Sequence, residues 1–209
     1  MNYKIGTRGS KLALAQADLV RTRLQEAYPE DTFELKVIRT KGDQLKDVPL
    51  GKIGDKGIFV REIEEQILEG KIQLGVHSMK DMPSQPALGL VFAKAWKRED
   101  ARDVLILRKE KSLSDPPEGA VIGTGSMRRK FQLLAMRRDI QIVDIRGNVD
   151  TRLKKMQEQK LDGIVLAAAG LKRLGMEQII TQYFEADEMI PAPAQGILAL
   201  ELQSANERL

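Results

Sequence analysis

Four short segments combine fixed cations with hydroxyl and backbone donors, each directly after a strand-like run. They are Thr7-Arg8-Gly9-Ser10, His77-Ser78-Met79-Lys80-Asp81, Thr124-Gly125-Ser126 with Arg128 and Arg129, and Arg146-Gly147-Asn148 with Arg152. A guanidinium grips a carboxylate or phosphate through two parallel N–H bonds, which an ammonium cannot do. Arginines grouped with serine and threonine therefore point to an organic acid with several carboxylates, or to phosphates. The third segment is the sharpest of the four. The unpaired N–H groups of a helix start already carry positive potential. Arg128 and Arg129 at that position predict something anionic in front of the helix. Asp81 stands beside Lys80, in the segment that holds the only histidine, His77. A carboxylate in an arginine-rich pocket accepts a hydrogen bond from a substrate N–H or passes a proton.

Each segment also has a plain structural reading. Thr7 and Ser10 suit caps of the first helix. Arg128 and Arg129 suit a solvated helix face, and Arg152 suits an ion pair with Asp150 or Glu158. Asp81 suits a cap or turn before Pro83. His77 closes an apolar strand in the manner of a packed residue. Ligands of open α/β sheets gather at the carboxyl ends of strands, so four such segments favour a shared site over four coincidences. Lys52, Asp55 and Lys56 lie in a long glycine-rich loop that suits a lid and equally suits a disordered surface connection. The run Gly123-Thr124-Gly125-Ser126 has neither the Walker nor the dinucleotide glycine spacing.

Alternating strands and helices must hold these segments. Tyr3–Thr7 reads as a strand, and Lys11–Ala27 as a helix with Ala13, Ala17, Val20, Leu24 and Ala27 on one stripe. Phe33, Leu35 and Val37 alternate in a strand running to Thr40. Ile58–Glu69 reads as a helix, and Ile72–His77 and Leu88–Ala93 as strands. Lys97–Asp100 marks a crossing point. Val104–Leu107, Ala120–Gly123, Ile140–Ile145 and Gly163–Ala168 read as strands, with helices at Ser126–Arg138 and Asn148–Gln159. Short helices are expected up to Phe184, and a last strand at Ile197–Leu202. This alternation predicts parallel-sheet units, and 209 residues fit two such sheets better than one.

Composition narrows the chemistry. The 209 residues include no cysteine, so no disulfide, thiol nucleophile or thiolate metal site is expected. One histidine makes the usual zinc site unlikely, and no metal is expected. No apolar run approaches the ~20 residues of a membrane span, and no signal peptide is visible, which sets a cytoplasmic expectation. The net charge is only +4 and aromatics are 4%, which argues against a nucleic-acid surface with stacking platforms.

The chain resembles the hydroxymethylbilane synthase (porphobilinogen deaminase) family along essentially its whole length. The resemblance runs through GTRGSKLALAQ, KGDQLKDVPLGKIGDKGIFVREIE, VHSMKDMP, GTGSMRRKFQL, DIRGNVDTRL, LAAAGLKRLG and PAPAQGILALE. It implies an enzyme of tetrapyrrole (heme) biosynthesis that joins four porphobilinogen molecules head to tail, releases ammonia at each addition, and frees hydroxymethylbilane. The product grows on a dipyrromethane cofactor, and every ring carries an acetate and a propionate, which would answer the arginines. By motif, Asp81 would be the catalytic acid/base. Ser78, Lys80, Asp81, Thr124, Ser126, Arg128 and Arg129 would hold the cofactor. Arg8, Ser10, Arg146, Arg152, Arg173 and Gln195 would bind incoming or elongating pyrroles, and Lys52 and Lys56 would lie in the mobile loop.

The resemblance further implies two doubly wound α/β domains like those of type II periplasmic binding proteins, with the cleft between them. The first would be 1–96, completed by 190–209, and the second 97–189. Porphobilinogen and pyrrole oligomers are the expected partners, with no nucleic acid and no membrane, and a monomer is expected. The family has a third domain whose cysteine anchors dipyrromethane through a thioether. This sequence stops at Leu209 without one, so the expectation is a truncated or short form that cannot carry the covalent cofactor alone. The alternative is a two-domain protein that binds carboxylates or pyrroles without turnover.

Overall fold

The structure is a computed structural model that describes residues 1–44 and 60–206. The segment with Lys52, Asp55 and Lys56, and the start of the helix expected at Ile58, lie outside the described residues. The chain forms two compact units, Met1–Arg98 with Ile197–Leu209, and Glu99–Gly196.

The first unit is built on a five-stranded sheet. Its elements are β1 (Asn2–Thr7), α1 (Lys11–Ala27), β2 (Thr32–Val37), α2 (Lys41–Gln44), α3 (Arg61–Leu68), β3 (Leu74–Ser78), β4 (Leu90–Phe92) and β10 (Leu198–Gln203). The strand order is β2-β1-β3-β10-β4. β1 runs parallel to both neighbours, whereas β10 returns antiparallel to β3 and β4. Ser10 starts α1, its hydroxyl accepting from the Ala13 N–H. The Ala17–Val20–Leu24 stripe then packs on Tyr3, Ile5, Leu74, Val76, Leu198, Leu200 and Leu202. Ile63 and Ile67 of α3 bury against Ile38, Ile72 and Leu90. In a strand, successive side chains face opposite ways. α1 therefore covers the face bearing Leu74 and Val76, and α3 the face bearing Gly75 and His77. β2 stops at Val37 rather than at Thr40, because its partner β1 ends at Thr7, opposite Val37.

The second unit has β5 (Asp103–Leu107), β6 (Val121–Gly123), α4 (Met127–Met136), β7 (Gln141–Val143), α5 (Val149–Glu158), β8 (Gly163–Ala167), α6 (Ala168–Arg173) and β9 (Gln182–Tyr183). The strand order is β7-β6-β8-β5-β9, with β5 antiparallel to its neighbours. Leu105, Ile122, Leu133 and Val165 fill the core on one face, and Val104, Ile106, Met156, Ile164 and Leu171 fill it on the other. The α/β class expected from alternation holds, but both sheets are mixed, since β10 and β5 reverse direction. α4 ends at Met136 because Arg137 leaves the helix and donates to the Leu113 and Pro116 carbonyls, pinning the proline turn. The stretch before Phe184 contains a strand as well as short helices. No helix among the described residues is long and apolar enough to cross a membrane.

Candidate binding and active site

Two neighbouring parallel strands of the first unit deliver its candidate residues. β1 ends at Thr7 and runs through Arg8 into Ser10, and β3 runs into a 3-10 turn, Met79–Asp81. The Ser10 hydroxyl caps α1 by accepting from the Ala13 N–H. Thr7 does not cap; it is fully buried and donates to the Ala13 carbonyl at 3.1 Å. Ser78 and the buried Gln16 of α1 lie within 3.1 Å, the Gln16 amide donating to the Ser78 hydroxyl. The Met79 N–H donates to the Ile197 carbonyl, so the turn is fastened to β10 as well. Asp81 itself stands exposed at the end of that turn.

In the second unit, β6 and β7 are the corresponding parallel pair, and the Thr124 N–H donates to the Val143 carbonyl. Thr124 accepts from the Ser126 N–H, and Ser126 caps α4 by accepting from the Arg129 N–H. Gly125 sits in a tight place. A Cβ on it would lie 2.9 Å from Asp144 Oδ1 and 3.1 Å from the Ile145 carbonyl oxygen. Arg146 Nε donates to Asp144 at 3.0 Å, beside that glycine. Arg152 Nε donates to the Gly147 carbonyl at 2.8 Å.

Part of the counter-charge to Arg128 and Arg129 is supplied by the chain itself. Asp103, the first residue of β5, is fully buried. Its Oδ1 accepts from Arg129 Nε at 3.1 Å and Nη2 at 2.7 Å, and from Gln195 Nε2 at 2.9 Å. Its Oδ2 accepts from Arg128 Nη1 at 2.6 Å. Burial alone would raise the Asp103 carboxyl. The Arg129 charge and the hydrogen bonds from Arg128, Arg129 and Gln195 outweigh burial and hold it below the usual range.

Arg129 is therefore a buried residue, its Nη1 also donating to the Val165 carbonyl. Arg128 is different. Its Nη1 is shared with the Ile190 carbonyl, and its Nε and Nη2 make no hydrogen bond among the described residues. Arg173 donates to the Gly196 carbonyl at 2.6 Å, next to Gln195; burial lowers its guanidinium from the usual range, partly offset by Glu99.

The structure thus groups Ser10, Ser78 and the Asp81 turn at one sheet end of the first unit. In the second, Thr124 and Ser126 start α4 and Arg173 donates to the carbonyl of Gly196, while Arg128, Arg129 and Gln195 surround an acid, Asp103, that the sequence did not single out. Its signal was present: Asp103 opens an apolar strand, four residues of which are buried behind it. Among the described residues, no cluster of three or more His, Asp or Glu is placed to hold a metal ion.

A family model described as "Porphobilinogen deaminase, dipyromethane cofactor binding domain" matches residues 3–209. The chain belongs to the porphobilinogen deaminase family. It is 61% identical over 211 residues to "Porphobilinogen deaminase" of Lachnospira eligens, covering 100% of this chain and 72% of that protein. It is 58% identical over 205 residues to the protein of the same name from Clostridioides difficile, covering 98% of this chain and 68% of that one. Porphobilinogen deaminases of this family are thus longer than the 209 residues here. Among solved structures, the methionine-binding protein MetQ superposes with a TM-score of 0.57 at 11% identity, over 98% of this chain and 84% of its own. That likeness concerns the fold alone and agrees with an architecture of the periplasmic-binding-protein kind.

Proposed function

We propose that this chain binds porphobilinogen and its pyrrole oligomers and joins four porphobilinogen units head to tail, releasing ammonia to give hydroxymethylbilane. Family membership across residues 3–209 is the observation that carries the reading. The sites supply its parts. Asp81, exposed on a turn whose start is fastened to β10, is the acid/base that moves a proton at the aminomethyl nitrogen and accepts from pyrrole N–H groups. Arg8, Ser10, Arg146, Arg152 and Arg173 bind the acetate and propionate groups of incoming and elongating pyrroles.

The donors around α4 fit a group with several carboxylates. Arg128 retains uncommitted N–H donors among the described residues, and Gly125 keeps side-chain bulk out of the turn beside it. Ser78, Lys80, Thr124, Ser126 and Arg128, with Asp81, would hold dipyrromethane. When bound, that group supplies the pyrrole carbon to which the first substrate is joined. Arg129 and Gln195 serve the same site through Asp103, which fixes the start of α4. The 209 residues contain no cysteine, so a thioether to the cofactor has no partner within this sequence. A cytoplasmic monomer is the setting assumed, which light scattering and cell fractionation test.

The test incubates the purified chain with porphobilinogen and measures released ammonia, then uroporphyrin absorbance after oxidation. Both are expected. Saturable binding with neither product would overturn turnover and favour a pyrrole-binding protein.

A further inference from the structure

The first unit buries two ionisable groups that the chemistry above does not use. His77 of β3 and Glu201 of β10 are 4% and 0% exposed at their side chains. His77 Nε2 lies 3.4 Å from Glu201 Oε2. Neither that nitrogen nor either Glu201 oxygen has a hydrogen-bond partner among the described residues. A buried carboxylate without hydrogen bonds is strongly destabilising unless an opposite charge faces it. Here the imidazole is the group in reach.

Sequence and register both fit this contact. Ala199 pairs with His77, and Glu201 with Gly75, so the imidazole must reach back along its own strand to meet the carboxylate. It does so over Gly75, where a Cβ would sit 2.9 Å from His77 Nε2. The glycine leaves room that no other residue would. The covering helix α3 adds Glu64, whose carboxyl is raised by burial and then by Glu201, and lowered by His77. Glu65 and Arg61 act on Glu64 more weakly, and Glu62 Oε2 is also buried without a partner.

What this contact holds is specific. His77 immediately precedes Ser78, and Leu198 pairs with Ser78. The next N–H, of Met79, donates to Ile197 at 3.0 Å. Thus β10 sets the height of the turn that carries Asp81. We propose that His77 and Glu201 form a buried clasp between β3 and β10 that positions the Ser78–Asp81 turn, so that the charge on the pair is felt at that turn. His77 and Glu201 are positioning residues. The value of the turn to catalysis rests on the reading of Asp81 above, whereas the clasp does not.

Because His77 is the only histidine, its ring signals are unambiguous in a 15N-labelled sample of the full 209-residue chain. The test is a pH titration by NMR, which requires no activity. The imidazole and the Ser78–Asp81 amides are expected to change with one common midpoint. Glu201→Gln is expected to uncouple the turn amides from the imidazole signals. A ring that titrates while the turn amides stay still overturns the proposal. So does a ring that stays in one state from pH 4 to 9, or turn amides that still follow the ring in E201Q. Should E201Q not fold, the wild-type titration alone decides. Loss of porphobilinogen turnover with a normal titration would count against the reading of Asp81 and not against the clasp.

Discussion

Replacing Asp103 by asparagine isolates the charge of one buried acid with almost no change in shape. The carboxylate accepts four hydrogen bonds, three of them from guanidinium groups and one from Gln195. An amide keeps one oxygen and can still accept about two. Its NH2 group then faces either Arg128 or the Arg129–Gln195 pair. Each lost bond to a charged donor is worth about 1.5–3 kcal/mol, and the losses are not additive. The larger effect is that Arg129, 6% exposed, becomes a buried cation without its counter-charge. Breaking a buried pair in this way costs about 3–5 kcal/mol. Because one acceptor survives, about 3 kcal/mol is expected for Asp103→Asn.

Urea denaturation at pH 7, followed by circular dichroism, measures it. The pH dependence supplies a second check. The folded carboxyl is held below the unfolded value of about 3.9, so its contribution is complete above that pH and is lost as pH falls toward the folded value. The stability gap between wild type and variant should therefore be flat from pH 7 to about 5 and narrow below about 4. A loss under 1 kcal/mol, or a gap that widens in acid, would refute the reasoning.

Three further outcomes are expected. Asp81→Asn should lower porphobilinogen turnover by about 10²–10⁴-fold while leaving the melting temperature unchanged, since Asp81 is exposed; a calorimetric scan run beside the absorbance assay separates the two. Gly125→Ala should destabilise by about 1–3 kcal/mol, because its Cβ would press on the Ile145 carbonyl and on Asp144; wild-type stability in urea would count against that steric account. Ser126→Ala should cost about 0.5–2 kcal/mol through loss of the cap on α4, with exchange of the Arg129 amide accelerated in hydrogen-exchange NMR.

Much of the fold was legible because its signals are local. The α1 stripe, the apolar runs of β3, β5 and β8, and the Ser10 and Ser126 caps depend on neighbours within a few residues. Strand direction was not legible. The parallel reading of alternating elements misses that β10 returns antiparallel, since that depends on a partner more than a hundred residues away. The candidate site was legible as positions but not as pairings. Arg128 and Arg129 implied an anion, and the sequence offered no way to know that Asp103, 26 residues before Arg129, already fills that place for Arg129. Gln195 came into view only through family resemblance, because a lone glutamine in a proline-containing loop has no local signature. Glu201 had a signal, an acid interrupting the apolar run ILALEL, but its partner His77 lies on another strand.

The position of β10, fourth in a sheet whose other strands come from the first 92 residues, has a consequence for synthesis. As the chain leaves the ribosome, β4 has no neighbour to pair with until residue 203 emerges. The later-made Glu99–Gly196 segment is contiguous and has all of its strands by then. The half of the protein that is translated first is thus the half that closes last, and it must keep an unfilled slot open while its insert matures.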